Sequence, residues 1–588
     1  MSGLKEFYLR HPDRSWLLII CVVFLAIFGR GLWFPAEIMD DVLYINLNRK
    51  LDFTWANVVY WWKTPILDLH SPLQMYSYML DRLIWGEQYF VFGCHLQNYL
   101  WHLIAVFSLF MIGRELGMRR AFAGVSALIF AIHPQRIEST VWLSERKDVL
   151  VLAFAMLSIW IFLRNLNNKF RMMQIIPPLL MLASLLSKPM AILLPLIILA
   201  ILWHIRRNWD WRYYLRHLWP FLLVGLIYMA VKSTMVENYA KIAISGAEPM
   251  SIRLAIIANN FGNYFFKTIY PYSLFPVYPF YNPLLDTLWP GIAFGLVVAS
   301  SFGYFLARKK YNFAVFDLLP LLICFVAALV PVVGIIRVGN TDFADRYSYF
   351  AAAFIWIFVG FVFQWLWDNF VAYRRLMAGA VTVYVLIIGI YSINYLSCWQ
   401  SGRDHMEASL DHPAPNFRIA FLAGIEAFHE KDFARIQYVC DEMLKIYPHY
   451  PENRRQAIEA YRLCMKGMTL FAMNRENEGI VFLNKLILTP RVIYMRDFAF
   501  GFPKDVMQEA ARYHLSRGNK ELAALVLNNI AANYERLIKL DFYFYKGMSA
   551  YVVDDFKTAE HFFSLAAEEN PDDENVRHNL ENTRKKLK

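Results

Sequence analysis

Charge is scarce in this sequence. Only 18% of its residues are Asp, Glu, Lys or Arg, against 58% hydrophobic and 17% aromatic. That balance excludes a disordered or strongly solvated chain over most of its length. Cysteine is scarce as well. The six (Cys21, Cys94, Cys324, Cys398, Cys440 and Cys464) form no CxxC and no zinc-like spacing. Neither a disulfide framework nor a metal site is supported. Acidic residues fall short of basic ones, 48 against 59, which leaves a net charge of +11. The excess does not call for nucleic acid, because much of it lies in short loops between apolar runs.

What is abundant is apolar sequence in runs long enough to span a bilayer, as far as about residue 400. Trp16–Phe34 is the first. It is too long, and lacks the small-residue cleavage site, for a removable signal peptide. Basic clusters recur at Lys5/Arg10/Arg14, Arg114/Arg119/Arg120, Arg164/Lys169/Arg171, Arg206/Arg207/Arg212/Arg216, Arg308/Lys309/Lys310 and Arg374/Arg375. Placing them all in the cytoplasm gives about eleven spans, a cytoplasmic N-terminus and an extracytoplasmic chain beyond Trp399. Ser251–Tyr270 resists this scheme, since it carries Asn259, Asn260, Asn263 and Lys267. It reads as an interfacial or re-entrant helix.

One stretch organises the first 398 residues: Ile132–Leu150, IHPQRIESTVWLSERKDVL, set between two apolar runs. Pro134 suits the first turn of a new helix. A helix beginning there places Glu138, Trp142 and Arg146 on one face at i, i+4 and i+8. Charges this close to hydrocarbon are costly unless they line a polar site or pair with one another. The stretch reads either as a snorkelling boundary loop or as a pocket for an anionic ligand.

The same topology makes Pro35 to about Phe90 an extracytoplasmic loop. It opens with Glu37, Asp40 and Asp41 and carries Trp55, Trp61, Trp62 and Trp85. Phe92–Gly113 then presents His95, Asn98 and His102 at i, i+3 and i+7. That polar stripe fits a cavity-facing hydrogen-bonding role better than a metal site, because no third ligand follows. Lys188 in LLSKPMAILLP and Asp345-Arg346 in DFADRYSYF fall on the same outer face by span parity. Asp40, Glu138, Arg146, Lys147, Lys188 and Arg346 are therefore expected on one side of the membrane domain.

From Trp399 the pattern turns polar and helical. Gly424 to Pro448, Gly467 to Pro490 and Gly547 to Pro571 each set a glycine in one helix and a proline after the next. Phe433 and Phe556 take equivalent positions, and Ala559, Phe563 and Ala566 follow in the last copy. This fits the tetratricopeptide period of about 34 residues, with departures at Ile436, Gly479 and Lys546. A weaker copy covers Gln508–Glu535, and Glu574–Lys588 is polar enough for a capping helix.

HPQRIESTVWLSERKDVL, SKPMAILLP, ADRYSYF and MDDVLYINLN resemble the transmembrane and tetratricopeptide-repeat O-mannosyltransferases and their prokaryotic relatives. LHSPLQMYSYMLD, HLQNYLWHL and WQSGRDHMEASLDHPAPN fit the prokaryotic version. Ser71 in HSPL and the missing proline after ADRYSYF are departures. The resemblance implies an all-α polytopic GT-C glycosyltransferase domain over residues 1–398, followed by an extracytoplasmic tetratricopeptide α-solenoid over 399–588. It implies transfer of a sugar, mannose in that family, from a polyprenyl- or dolichyl-phosphate donor to an extracytoplasmic acceptor such as a protein Ser or Thr. Asp40 maps onto the general base, with Asp41 the adjacent alternative, and a one-step displacement would invert the anomeric centre. Arg146, Lys147, Lys188 and Arg346 would hold the donor phosphate. His95, Asn98, His102, His133 and Trp142 would support the cavity, and Glu138 would position Arg146. No cofactor is required by this reading, and a divalent cation at the phosphate stays open. The expected partners are the sugar lipid, an acceptor protein on the repeats and membrane lipids. The setting is a bacterial inner membrane with periplasmic repeats, or an endoplasmic-reticulum membrane with lumenal ones. The rival readings are a non-enzymatic membrane scaffold whose repeats recruit envelope proteins, and a lipid-linked-glycan transporter or ligase.

Overall fold

The computed structural model describes residues 12–67, 69–166, 172–206, 210–235, 250–278, 288–307, 319–335, 343–411, 416–446, 452–488, 504–534 and 539–588. Lys5, Arg10, Lys169, Arg171, Arg207, Arg308, Lys309 and Lys310 of the expected basic clusters lie outside these residues. So do Pro448 and Pro490 of the expected repeats. The described residues are helical apart from turns and one isolated bridge between Ile66 and Leu69. The chain divides into two compact units, Met1–Ala408 and Ser409–Lys588.

In the first unit, six helices among the described residues are long and apolar enough to cross a membrane: Pro12–Trp33, Phe90–Glu115, Pro189–Arg206, Trp211–Ser233, Asp345–Asn369 and Val371–Trp399. Shorter apolar helices, Arg120–Ile132 and Leu319–Leu329 among them, pack between them. Small residues permit the closest approaches. A Cβ on Gly124 would strike the Trp16 ring, and one on Gly360 would strike Ser126 and Met118. Such contacts bring backbones together where no hydrophobic driving force acts between spans. The segment around Asn259 and Lys267 is one continuous helix, Met250–Ile269, packed against Trp289–Ala307.

Ion pairs mark one pole of this bundle. Asp13 pairs with Arg120 at 2.7 Å and with Arg114 at 4.0 Å, and Arg119 pairs with Asp368 at 2.6 Å. These residues mark ends of Pro12–Phe28, Phe90–Glu115, Arg120–Ile132 and Tyr349–Asn369 that meet at one pole. Chain direction sends the opposite ends of the same four helices to the other pole. There the chain continues into the loop after Trp33, the stretch after Ile132 and the Asp345–Ser348 turn.

The second unit is a run of helical hairpins. Four of them turn through a residue with positive φ placed two positions before the second helix: Lys431, Asn474, Gly518 and Asp554. In each, the next backbone N–H reaches back five residues, from Asp432 to Ala427 O, Arg475 to Leu470 O, Asn519 to His514 O and Asp555 to Ala550 O. This is a helix C-terminus closed by a left-handed residue. Glycine suits that conformation best, yet three of the four positions hold Lys, Asn and Asp. The spacing between the first three turns exceeds the 34-residue period, and the last comes nearest to it.

Candidate functional site

Prolines and short caps break the chain at the second pole. His133, before Pro134, has φ −67 and ψ 132, and Lys188, before Pro189, has φ −163 and ψ 141. A residue preceding proline is pushed out of the helical region, so both sit in extended joints. After Pro134 the chain does not form the single helix expected there. It passes through a 3₁₀ turn (Pro134–Arg136), a short helix (Ile137–Val141), a second 3₁₀ turn (Leu143–Glu145) and then the helix Arg146–Arg164. Trp142, at φ −68 and ψ 113, makes the break. Glu138, Trp142 and Arg146 therefore do not share a face. Every residue from Ser126 to Ala153 is buried, so the stretch is no snorkelling loop.

Arg146 is the first correction to the expected site. Its guanidinium is fully buried and its donors are taken up within the protein. Nε donates to Asn98 Oδ1 at 2.7 Å, Nη2 to the Cys94 carbonyl at 2.6 Å, and Nη1 to Asp81 Oδ2, Gln97 Oε1 and Ser77 Oγ. Tyr78 lies against its face, 4.3 Å from ring centroid to Cζ. This is an internal ion pair with Asp81 at 0% and 1% side-chain exposure, not a cation held toward a ligand. Such a pair needs its remaining donors satisfied to offset desolvation, which is the work of Asn98, Gln97 and Ser77.

Glu138 pairs with Arg346 and not with Arg146. The carboxylate accepts from Arg346 Nη1 through Oε1 and from the Arg346 backbone N–H through Oε2, the latter at 2.7 Å. Arg346 also lies over the Trp142 ring at 5.3 Å, while the Trp142 indole donates to the Ile38 carbonyl at 3.1 Å. Burial pushes the Glu138 carboxyl up to about 7 against the opposing pull of Arg346.

Three cations converge on one carboxylate that the sequence reading did not single out. Glu145 Oε1 lies 3.1 Å from Lys147 Nζ and 3.4 Å from Arg346 Nε, and Oε2 lies 3.5 Å from Lys188 Nζ. Burial alone would raise this carboxyl, but the three cations hold it down to about 2. Lys188 also pairs with Asp148 at 2.6 Å. Glu145 and Asp148 both belong to the SERKD run. Asp148 stands out in the sequence for its closeness to the apolar run, whereas nothing local distinguishes Glu145.

Loop and stretch are tied together through Asp41. It accepts from the Ser144 backbone N–H at 2.8 Å and from the Ser144 hydroxyl. Asp41 is buried, and desolvation pushes it up to about 7 although the Ser144 hydrogen bonds oppose the shift. Asp40 is partly exposed, and its carbonyl accepts from the Leu43 and Tyr44 N–H groups, both at 3.0 Å. Met39 immediately before it has φ 43, a left-handed conformation costly for a non-glycine residue. The helix Pro72–Trp85 docks on the same place. Gln74 donates to the Ser144 carbonyl at 2.7 Å, and the Tyr78 hydroxyl donates to the Leu143 carbonyl at 2.5 Å.

His95, Asn98 and His102 do share a face, but it is a packed one. His95 Nε2 contacts the Phe34 carbonyl at 3.1 Å. His102 donates from Nε2 to the Ala131 carbonyl at 3.1 Å, which leaves Nδ1 to accept from the Tyr349 hydroxyl at 2.5 Å. His133 Nδ1 accepts from the Gln135 N–H at 3.3 Å and caps the turn. These side chains are buried and bonded to the surrounding frame. Asp345 is likewise held, by Gln135 at 3.0 Å and Tyr278 at 2.9 Å. Among the described residues, no three His, Cys, Asp or Glu side chains gather as a metal-ligand set, and the acids here face cations.

The assembled site thus contains Lys147, Lys188 and Arg346 from three separate segments, beside a loop carrying Asp40 and Asp41. Over 136 residues the chain is 30% identical to the protein O-mannosyl-transferase Tmtc1 of Drosophila melanogaster. That match covers 22% of this chain and only 16% of the relative's length. No protein-family model matches the chain.

Proposed function

We propose that the first unit is a membrane glycosyltransferase of the GT-C class that takes its sugar from a polyprenyl- or dolichyl-phosphate donor. The observation that carries this reading is the convergence of Lys147, Lys188 and Arg346, at Nζ or Nε distances of 3.1–3.5 Å, around a single carboxylate. An acceptor hydroxyl attacks the anomeric carbon, and the bond from that carbon to the phosphate oxygen breaks. The electron pair leaves with the lipid phosphate, where the three cations stabilise it in a poorly hydrated site. The hydroxyl proton passes to the Asp40 carboxylate, the more accessible of the pair. Asp41 fixes the loop through Ser144, and Glu138 fixes Arg346. A single displacement of this kind inverts the anomeric centre.

The likeness to an O-mannosyl-transferase supports mannose as the sugar and protein Ser or Thr as the acceptor. In this reading the second unit is a tetratricopeptide array that binds the acceptor protein outside the cytoplasm. The spans number about eleven, with the basic pole inward, in a bacterial inner membrane or an endoplasmic-reticulum membrane. The test is direct. Purified full-length protein, given a polyprenyl-phosphate mannose donor and an acceptor peptide, should release polyprenyl phosphate and mannosylate the peptide. Donor binding without turnover on any hydroxyl acceptor would instead favour the scaffold or transport reading.

A further inference from the structure

The cation cluster contains its own counter-ion. Lys147, Lys188 and Arg346 are matched by Glu138, Glu145 and Asp148, so the six groups sum to zero when all three acids are ionised. The three acids are not equivalent. Lys188 is anchored to Asp148 at 2.6 Å, and Arg346 to Glu138 through side chain and backbone. Lys147 is anchored to the Ser144 carbonyl at 2.6 Å. Every cation thus has a tight partner apart from Glu145, and its contact with Glu145 is the looser one, at 3.1–3.5 Å. Glu145 Oε2 is buried without a hydrogen bond. The residue ends a 3₁₀ turn just before the helix Arg146–Arg164, and its departure would leave the three cations their anchors.

We propose that Glu145 is a resident stand-in for the donor phosphate: its carboxylate neutralises Lys147, Lys188 and Arg346 when no lipid phosphate is bound, and competes with the phosphate for them. This rests on the lipid-phosphate reading above and adds a release step to it. A glycosyl phosphodiester carries one negative charge, as the carboxylate does, so exchanging them keeps the buried cluster neutral. Transfer leaves a phosphomonoester, which carries approximately −1.5 to −2 near neutral pH and is gripped more firmly by three cations. The returning Glu145 carboxylate reclaims those cations and helps to expel the spent lipid. Without it, one net positive charge would be left uncompensated in the desolvated cluster.

The test compares full-length wild type, Glu145→Gln and Glu145→Asp, purified in detergent, for binding of farnesyl phosphate, with farnesol as the uncharged control. Glu145→Gln removes the competitor and should bind farnesyl phosphate about tenfold tighter than wild type. Glu145→Asp, whose shorter carboxylate reaches the cations less well, should fall between the two. Farnesol binding should be equal in all three. Equal or weaker farnesyl phosphate binding by Glu145→Gln would overturn the stand-in role while leaving the lipid-phosphate site in place. If Glu145→Gln does not fold, the order of Glu145→Asp and wild type decides the same question. If no protein distinguishes farnesyl phosphate from farnesol, the lipid-phosphate reading itself fails.

Discussion

Arg346 donates both its backbone N–H and its guanidinium to the two oxygens of Glu138, a residue 208 positions earlier. This fork joins the broken stretch after Ile132 to the head of the helix Tyr349–Asn369. It also aims Arg346 Nε at Glu145. Lysine has neither the planar fork nor the reach to serve both acids. Arg346→Lys should therefore lower sugar transfer by roughly 10–100-fold, with donor KM rising as kcat falls. Unchanged kinetics with this variant would remove Arg346 from the phosphate site.

The buried pair of Arg146 and Asp81 predicts a folding defect instead of a binding defect. Removing either partner strands the other charge and should cost about 3–5 kcal/mol. Arg146→Met combined with Asp81→Leu should recover much of that loss. Thermal unfolding of the single and double variants in detergent checks this. A stable Arg146→Ala protein with selectively weakened phosphate binding would return Arg146 to the ligand site.

Asp40 and Asp41 should separate by kind of effect. Asp40→Asn should lower transfer by about 10²–10⁴-fold without altering stability, the range expected for a lost general base. Asp41→Asn keeps an oxygen to accept from Ser144 and should retain most activity. Transfer assays beside melting curves distinguish the two, and the reverse outcome would move the base to Asp41.

Asp41 also sets a pH dependence of stability. Its carboxyl rises from 3.8 to about 7 on burial, so the folded state holds a proton that the unfolded chain has released across that window. Stability must then fall as pH climbs from about 4 to 7. Glu138, also raised to about 7, acts in the same direction. The melting temperature of Asp41→Asn should decline less steeply than that of wild type over this range. Parallel slopes would show that Asp41 stays ionised when folded.

Membrane sidedness offers a further check. A reporter active only outside the cytoplasm should function when fused after Lys588, because the basic pole is assigned inward. Activity of a cytoplasm-only reporter at that position would reverse the topology and place Asp40 on the wrong side for an extracytoplasmic acceptor.

The sequence by itself determined the helical character and the apolar runs, since both follow from composition and periodicity within short windows. It also singled out Lys147, Lys188 and Arg346 as charges beside hydrocarbon, which stand out wherever they occur. Repeated hairpins after residue 400 were legible for the same local reason. Tertiary structure alone decided who partners whom. Glu138 lies nearer in sequence to Arg146, yet it pairs with Arg346, because the break at Trp142 turns the two residues apart. Arg146 becomes a strut only because Asp81 arrives from the helix Pro72–Trp85, 65 positions away. Trp399, which reads as the start of the second domain, is fully buried beside Trp142 within the first unit. Ion pairing depends on distances of a few ångströms across segments far apart in the chain, and no periodicity along the chain encodes those distances.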